Sequence, residues 1–215
     1  MASDLFARGL AEAGDTDVVQ VGRGVLGRAG EIIRDGLLEA GRSALVVADD
    51  NTWAAAGAAV QRSLHEAGVL VEEPLVFPGE PELYAAYENS EVVRERLRQT
   101  GAFGVAVGSG TLNDLVKLAS GELGRRYAVV GTAASMDGYA GFGAPMSSGG
   151  VKRTLPCPAP AVVVIDLDVA AAAPTEMVAS GYGDLSAKIP AGADWLLADA
   201  AGVEPIHPLA WELVQ

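Results

Sequence analysis

The sequence predicts an α/β protein with a largely parallel sheet, followed by the beginning of a helical domain. Four short apolar runs, rich in β-branched residues and bounded by Gly, Pro or Asp, have the length and composition of buried strands. Segments with helical periodicity separate them, which favours a layered sheet of parallel strands. Beyond residue 168, helix formers continue without another strand-like run. We therefore expect an α/β domain over residues 1–168 and the beginning of a helical domain over 169–215.

The predicted elements alternate along the first domain. Strands are expected at 45–49 (LVVAD), 103–107 (FGVAV), 127–132 (YAVVGT) and 161–166 (AVVVID), and helices at 25–40, 52–67, 82–100 and 111–121. In the second domain, Pro174 and Thr175 predict the start of a helix. Pro205 and Pro208 bracket a turn before a last helical pattern that reaches Gln215.

Composition excludes several classes of partner. The chain has 215 residues, half of them apolar, and a net charge of −13, which argues against nucleic acid and anionic membranes. The lone Cys157 cannot form an internal disulfide, the N-terminus lacks the apolar core of a signal peptide, and no apolar stretch is long enough to cross a bilayer. We expect a cytoplasmic protein without membrane insertion. A phosphorylated small ligand would need local donors such as Lys152, Arg153 or Lys188.

The segment 103–120 (FGVAVGSGTLNDLVKLAS) carries the clearest binding signal. A strand runs into Gly108-Ser109-Gly110-Thr111 and then into an amphipathic helix. Glycines allow close approach of a pyrophosphate, and the helix N-terminus stabilises its negative charge. An ordinary tight turn would explain the glycine pair equally well.

Two carboxylates end the strand in VVADDNTW at 46–53. An acidic side chain at this position commonly hydrogen-bonds an adenosine ribose, and Asp49 is the better candidate. Alternatively, Asp50 or Asn51 caps a helix that opens at Thr52. The two interpretations are compatible, since they concern neighbouring residues.

The segment 129–146 (VVGTAASMDGYAGFGAPM) leaves a strand and stays rich in small residues. It offers the hydroxyl groups of Thr132 and Ser135 and the carboxylate of Asp137, which lies next to Gly138. Such a loop could lie beneath a ligand, although it could also be a flexible connection.

The segment 180–188 (SGYGDLSAK) places Asp184 and Lys188 four residues apart, so they share one face if this stretch is helical, and a surface ion pair would explain that spacing. Gly181 and Gly183 each weaken a helix by about 1 kcal/mol relative to alanine, which indicates close approach of a ligand or of backbone. Pro190 predicts a bend or break just after Lys188.

In this order, GSGTLNDLVKLAS, GTAASMDGYAGFGAPM, VKRTLPCPAPAVVVIDLDV and SGYGDLSAKIPAGADW resemble the bacterial glycerol-1-phosphate dehydrogenases of the AraM type. These enzymes belong to the superfamily of iron-containing alcohol dehydrogenases and dehydroquinate synthases. The resemblance implies a Rossmann-like domain that binds NADH or NADPH, followed by a helical domain with a divalent metal (Zn, Ni or Fe). It also implies reduction of dihydroxyacetone phosphate to sn-glycerol 1-phosphate, with the metal polarising the ketone, and a homodimer in the full-length form.

The resemblance assigns a role to each matching position. Residues that would bind the cofactor are Asp49 at the ribose, Gly108, Ser109, Gly110, Thr111 and Asp114 at the pyrophosphate end, and Thr132 and Ser135 near the nicotinamide. Asp137 and Lys188 would act on the substrate, with Lys152 or Lys188 meeting its phosphate. Asp184 would be the first metal ligand.

The sequence departs from these relatives at the metal site. They complete it with two histidines further along the helical domain, whereas the histidines here are His65, expected on the surface, and His207, which the family pattern does not use. One carboxylate is a poor metal site, because about three protein ligands are usual. We therefore expect either a fragment of a longer enzyme, which we favour, or a naturally truncated chain that survives as a nucleotide-binding remnant. In both cases the chain is expected to be inactive alone and to bind metal weakly or not at all.

Two other functions remain open. A dehydroquinate-synthase-like cyclase would use the same fold, but it would need more basic residues around its substrate than the sequence offers. A non-catalytic dinucleotide-binding module could pair with another chain through apolar residues such as Trp195 and Trp211. The lack of an arginine soon after Asp49 favours NADH over NADPH.

Overall fold

The computed structural model describes residues 2–37 and 43–214. Its strands are β1 (Val18–Gly22), β2 (Ala44–Asp49), β3 (Leu75–Phe77), β4 (Phe103–Gly108), β5 (Ala128–Gly131), β6 (Ala144–Ser148), β7 (Val151–Leu155) and β8 (Val162–Asp166). Its helices are α1 (Ala2–Glu12), α2 (Ala29–Leu37), α3 (Asp50–Thr52), α4 (Ala58–Glu66), α5 (Tyr87–Thr100), α6 (Gly110–Glu122), α7 (Leu167–Ala171), α8 (Thr175–Ser186), α9 (Lys188–Ala200) and α10 (Pro208–Val214). A π-helical turn, Trp53–Gly57, joins α3 to α4, and a 3₁₀ turn, Val25–Arg28, precedes α2.

Six parallel strands form the main sheet in the order β1-β8-β5-β4-β2-β3. The four predicted strands became β2, β4, β5 and β8, which are its four interior strands. Each is buried along nearly its whole length, as expected for a sheet covered on both faces. Because every strand runs the same way, their carboxyl ends line one edge of the sheet.

Helices cover both faces of this sheet. On one face α5 and α6 bury Val93, Leu97 and Leu115 against the strands. On the other, α2 and α4 bury Ile33 and Leu64. This two-faced arrangement is the Rossmann-like α/β architecture that the resemblance implied.

The predicted helices exist with shifted ends. The helix predicted at 25–40 is a 3₁₀ turn followed by α2, and its residues 38–40 lie outside the described part of the chain. The helix expected at 52–67 opens earlier, at Asp50, and the one expected from residue 82 opens at Tyr87.

Three features were not predicted. The edge strands β1 and β3 are short and partly exposed, so they lack the continuous apolar run of a buried strand. The antiparallel hairpin of β6 and β7 stands apart from the main sheet, and β7 (VKRTL) is mostly exposed. The N-terminal helix α1 packs on α10, where Gly9 approaches the side chain of Leu213 and Arg8 pairs with Glu212 at 3.5 Å.

The described segment after β8 consists of the helices α7 to α10 and short connections, without a strand. The helix α8 begins at Thr175, as Pro174 and Thr175 predicted, and α10 begins at Pro208 after the predicted turn. Trp195 and Trp211 pack with ring centroids 5.9 Å apart. Among the described helices, none combines the length and the apolar character required to span a membrane.

Candidate functional site

The carboxyl edge of the sheet gathers the residues predicted to bind the cofactor. Strand β2 ends at Asp49, β4 ends at Gly108, and Thr132 directly follows β5. Gly108 pairs with Gly131 in the parallel register, and the amide of Thr132 donates to the carbonyl of Gly108 at 3.1 Å. Chain segments that are far apart in sequence therefore meet at one edge.

The two glycines of the turn after β4 serve different physical needs. A Cβ on Gly108 would stand 2.4 Å from Cδ1 of Leu112, so glycine there allows the strand and helix to pack closely. A Cβ on Gly110 would meet just the side chain of Met136, at 3.5 Å, so the first turn of α6 has open space beside it. The 13-residue α6 thus presents its N-terminus across an accessible surface, an arrangement that fits an anionic group.

Asp49 is itself the N-cap of α3. Its Oδ1 accepts from the amide of Thr52 at 2.8 Å, and its own amide donates to Oγ1 of Thr52 at 3.0 Å. The expectation that Asp50 or Asn51 caps a helix opening at Thr52 was wrong. The N-cap must be extended, as Asp49 is with φ −109° and ψ 174°, whereas Asp50 is already helical.

Asp50 has another role, because its Oδ2 accepts from the amide of Gly79 at 2.9 Å, in the loop after β3. Capping does not remove Asp49 from consideration as a ribose ligand. An ionised carboxylate can accept about four hydrogen bonds, and Asp49 is only half-buried at the sheet edge.

The loop after β5 is in close contact with α8. A Cβ on Gly181 would stand 1.9 Å from the carbonyl oxygen of Ala134, so only glycine permits this approach. The amide of Asp137 donates to Oδ2 of Asp184 at 2.9 Å. The predicted close approach thus occurs at Gly181 and involves backbone, whereas a Cβ on Gly183 would find no atom within 4 Å.

Lys188 forms its ion pair with Asp137, at 2.6 Å between Nζ and Oδ2. Asp184 and Lys188 would share one face only in a continuous helix, and that condition is not met, because α8 ends at Ser186 and α9 begins at Lys188. Pro190 falls in the first turn of α9, where its missing N–H breaks no helical hydrogen bond. The break therefore lies just before Lys188 and not after it.

Hydrogen bonding favours the charged forms of Asp184 and Lys188. The backbone N–H of Asp137 is the main cause that lowers the pKa of Asp184, and the nearby charge of Lys188 acts in the same direction. The hydrogen bond to Asp137 raises the pKa of Lys188. Two carboxylates and one ammonium thus face one another on the surface between the loop and α8.

Thr132 and Ser135 occupy the same loop. Thr132 is buried, and Ser135 is half-buried beside Tyr139. Burial raises the pKa of Tyr139 to about 12, and its Oη donates to the carbonyl of Ala133 at 2.7 Å. The phenol of Tyr139 therefore supports the loop from within.

A buried polar network behind α6 was not predicted. Oη of Tyr127 donates to Oδ1 of Asn113 at 2.9 Å, and Nδ2 of Asn113 donates to the carbonyl of Tyr139 at 3.2 Å. Nζ of Lys117, 2% exposed, donates to the carbonyl of Gly143 at 3.1 Å. The available signal was the pattern NDLVK, which puts polar residues on the buried face of an otherwise apolar helix.

Asp114 belongs to this network and lies one helical turn from Gly110. Burial raises its pKa to about 6, and the charges of Lys117 and Lys152 act against that rise. Lys152 lies on the exposed strand β7 of the hairpin, next to the equally exposed Arg153. The hairpin thus brings a positive charge toward the first turns of α6.

The glycine turn and Asp184 border one loop. Gly110 lies beside Met136, the chain neighbour of Asp137, and Asp137 bonds Asp184. A ligand spread along this loop would therefore pass from the N-terminus of α6 to the cluster on α8.

The described residues do not form a metal site. No group of three or more His, Cys, Asp or Glu side chains comes together within them. His65 is exposed on α4, as expected. His207 accepts through Nδ1 from the amide of Ala210 at 3.4 Å and lies 3.7 Å from Glu12, so it caps α10. Asp184 alone does not fit a divalent cation.

Comparison with known proteins adds an independent finding. Residues 20–174 match the family described as iron-containing alcohol dehydrogenase. The glycerol-1-phosphate dehydrogenase [NAD(P)+] of Geobacillus thermodenitrificans is 37% identical over 77% of this chain and 41% of its own length. That of Halalkalibacterium halodurans is 33% identical over 94% of this chain and 50% of its own, and that of Methanosarcina mazei is 36% identical over 84% and 49%. The chain spans about half the length of the curated relatives it matches.

Solved structures share the fold. A probable glycerol dehydrogenase from Sinorhizobium meliloti superposes with a TM-score of 0.67 at 24% identity, over 82% of this chain and 46% of the other. A 2-deoxy-scyllo-inosose synthase superposes with a TM-score of 0.65 at 18% identity, over 79% and 49%. Both identities are low, so these structures support the architecture alone.

Proposed function

The chain belongs to the iron-containing alcohol dehydrogenase family, and on that premise we propose that it is the nucleotide-binding part of an NAD(P)-dependent polyol-phosphate dehydrogenase. The proposed reaction is reduction of dihydroxyacetone phosphate to sn-glycerol 1-phosphate. The curated relatives named glycerol-1-phosphate dehydrogenase support this reaction. The observation that carries the proposal is the loop 132–137, which lies between an open helix N-terminus and a charged cluster.

The dinucleotide would lie along the carboxyl edge of the sheet. Asp49 would accept hydrogen bonds from the adenosine ribose, and the first turn of α6, from Ser109 to Thr111, would bind the pyrophosphate. Thr132 and Ser135 would border the nicotinamide, which supplies a hydride when bound. Two carboxylates at the end of β2 would repel a 2′-phosphate, which favours NADH over NADPH.

The substrate would lie against the charged cluster. Lys188, held by Asp137 at 2.6 Å, would place a positive charge near the carbonyl oxygen as negative charge develops there, and it could donate the proton that completes reduction. Lys152 on the hairpin would then meet the substrate phosphate. This division assigns the reacting oxygen and the phosphate to different lysines.

The described residues do not supply a complete site for a divalent metal. Asp184 would supply one ligand, and the 2.9 Å hydrogen bond from Asp137 already engages it, whereas a catalytic zinc usually has about three protein ligands. Any zinc, nickel or iron would need further ligands from elsewhere. No catalytic step is therefore assigned to a metal.

The first experiment is an NADH titration followed by fluorescence. The chain should enhance NADH fluorescence, and Gly110→Asp should abolish the enhancement, because it places a carboxylate where the pyrophosphate would bind. Gly14→Asp is the matched control: Gly14 precedes β1, at the opposite edge of the sheet, with open space around it. Equal loss of binding in both variants would contradict the proposed site.

Turnover separates the remaining functions. NADH oxidation that depends on dihydroxyacetone phosphate, with nickel or zinc added, would establish the dehydrogenase. NADH binding with neither turnover nor binding of dihydroxyacetone phosphate would contradict it and leave the non-catalytic module. A cyclase would instead retain NAD and give no net oxidation.

A further inference from the structure

A buried lysine links the glycine-turn helix to the β6–β7 hairpin. Lys117 is 2% exposed, and its Nζ lies 3.5 Å from Oδ1 of Asp114 and donates to the carbonyl of Gly143 at 3.1 Å. Removing two charges from water is costly, and a buried ion pair often stabilises a fold no better than apolar residues of similar volume. A contribution to stability alone therefore does not explain why a lysine and an aspartate are buried together here.

Gly143 is the residue just before β6, at the base of the hairpin. It has φ +79°, a conformation that favours glycine, and its amide donates to the carbonyl of Cys157 at 2.8 Å. The ammonium of Lys117 thus holds the hairpin where its two strands leave the core. Buried Ala144 and Met146 continue the contact along β6.

Asp114 connects the ammonium of Lys117 to the glycine turn and to Lys152 on β7. It lies one turn from Gly110, and the charge of Lys152 on β7 is close enough to act on it. Lys117 therefore contacts the carbonyl of Gly143, at the base of the hairpin, and the carboxylate of Asp114, which faces the basic strand β7. Moving this ammonium would disturb the position of Lys152 relative to the glycine turn.

We propose that Lys117 is a positioning residue: its ammonium fixes the base of the β6–β7 hairpin and the carboxylate of Asp114, and thereby holds Lys152 where the substrate phosphate binds. The inference rests on the proposed function and deepens it. It assigns to Lys117 no contact with cofactor or substrate.

The test is a double-mutant cycle on the full chain. Lys117→Met keeps most of the side-chain volume and removes the charge, and Lys152→Ala removes the phosphate donor. The readout is the affinity of the NADH complex for dihydroxyacetone phosphate, with the affinity for NADH measured separately. Each single variant should weaken dihydroxyacetone phosphate binding about tenfold and leave NADH binding within about twofold. The double variant should bind no more weakly than Lys152→Ala, because Lys117 acts through Lys152.

The outcomes separate the inference from the function on which it rests. Additive losses in the cycle, or an unchanged affinity in Lys117→Met, overturn the positioning role while the function stands. A wild-type chain that binds NADH but no dihydroxyacetone phosphate overturns the proposed function and the inference together.

If Lys117→Met does not fold, a second variant and a second measurement still test the inference. Glutamine is shorter than lysine and uncharged, so Lys117→Gln weakens the contact with the Gly143 carbonyl and removes the charge beside Asp114. Its side-chain N–H makes the change milder than Lys117→Met, so it should lose affinity for dihydroxyacetone phosphate, but less than Lys117→Met. Hydrogen exchange of wild type and Lys117→Gln should show faster exchange in the hairpin amides of the variant and unchanged exchange in β4 and β5. Equal hairpin exchange in the two proteins overturns the inference without any substrate.

Discussion

Replacing Gly181 with alanine should separate α8 from the loop 132–137. The alanine Cβ would stand 1.9 Å from the carbonyl oxygen of Ala134, whereas ordinary contact begins near 3.4 Å. The helix and loop must therefore move apart by about 1.5 Å. The hydrogen bond from the amide of Asp137 to Asp184, now 2.9 Å long, would not survive that movement.

The expected effect on stability follows from three contributions. Overpacking typically costs about 1–3 kcal/mol, and loss of a hydrogen bond to a charged group costs about 1.5–3 kcal/mol. Alanine returns about 1 kcal/mol relative to glycine inside a helix. We therefore expect Gly181→Ala to lower the free energy of unfolding by roughly 1.5–5 kcal/mol.

Urea denaturation followed by circular dichroism measures this change, and Gly183→Ala is its matched control. Gly183 lies two residues further along α8, and a Cβ there meets nothing within 4 Å. That substitution should raise the free energy of unfolding by up to about 1 kcal/mol. If the two variants were equally stable, the contact between α8 and the loop would not be as close as described.

Three further predictions concern the carboxyl edge of the sheet. Gly108→Ala should lower the free energy of unfolding by about 1–3 kcal/mol because its Cβ collides with Leu112, whereas Gly110→Ala should change it by less than about 1 kcal/mol. Urea denaturation of both variants tests this difference, and equal losses of stability would contradict it. Asp49→Asn should keep the helix cap and the free energy of unfolding but weaken NADH binding about tenfold or more, as measured by fluorescence titration. An unchanged affinity for NADH would contradict the role of Asp49 at the ribose. Burial raises the pKa of Asp114 from 3.8 to about 6, so the folded chain retains this proton to higher pH than the unfolded chain does. The free energy of unfolding should therefore fall by up to about 3 kcal/mol as the pH rises from about 4 to 6. Asp114→Asn should remove that part of the slope in denaturation across the same pH range, and an unaltered slope would contradict the burial argument.

The sequence by itself determined the interior of the sheet and the position of the glycine turn. Buried parallel strands must be continuous apolar runs, so β2, β4, β5 and β8 were recognisable without coordinates. The turn at 108–110 and the resemblance to glycerol-1-phosphate dehydrogenases also followed from local residue order, and the family match confirms that resemblance. The roles given to individual site residues stay predictions.

Only the tertiary structure decided which groups pair. Asp184 and Lys188 are four residues apart in sequence, yet each contacts Asp137, because the close approach at Gly181 brings a distant loop against α8. The burial of Lys117 likewise depends on the hairpin that packs over α6, and no local pattern specifies that contact. Periodicity records which side of an element faces the core, whereas the partner of a charged side chain depends on segments that only folding brings near.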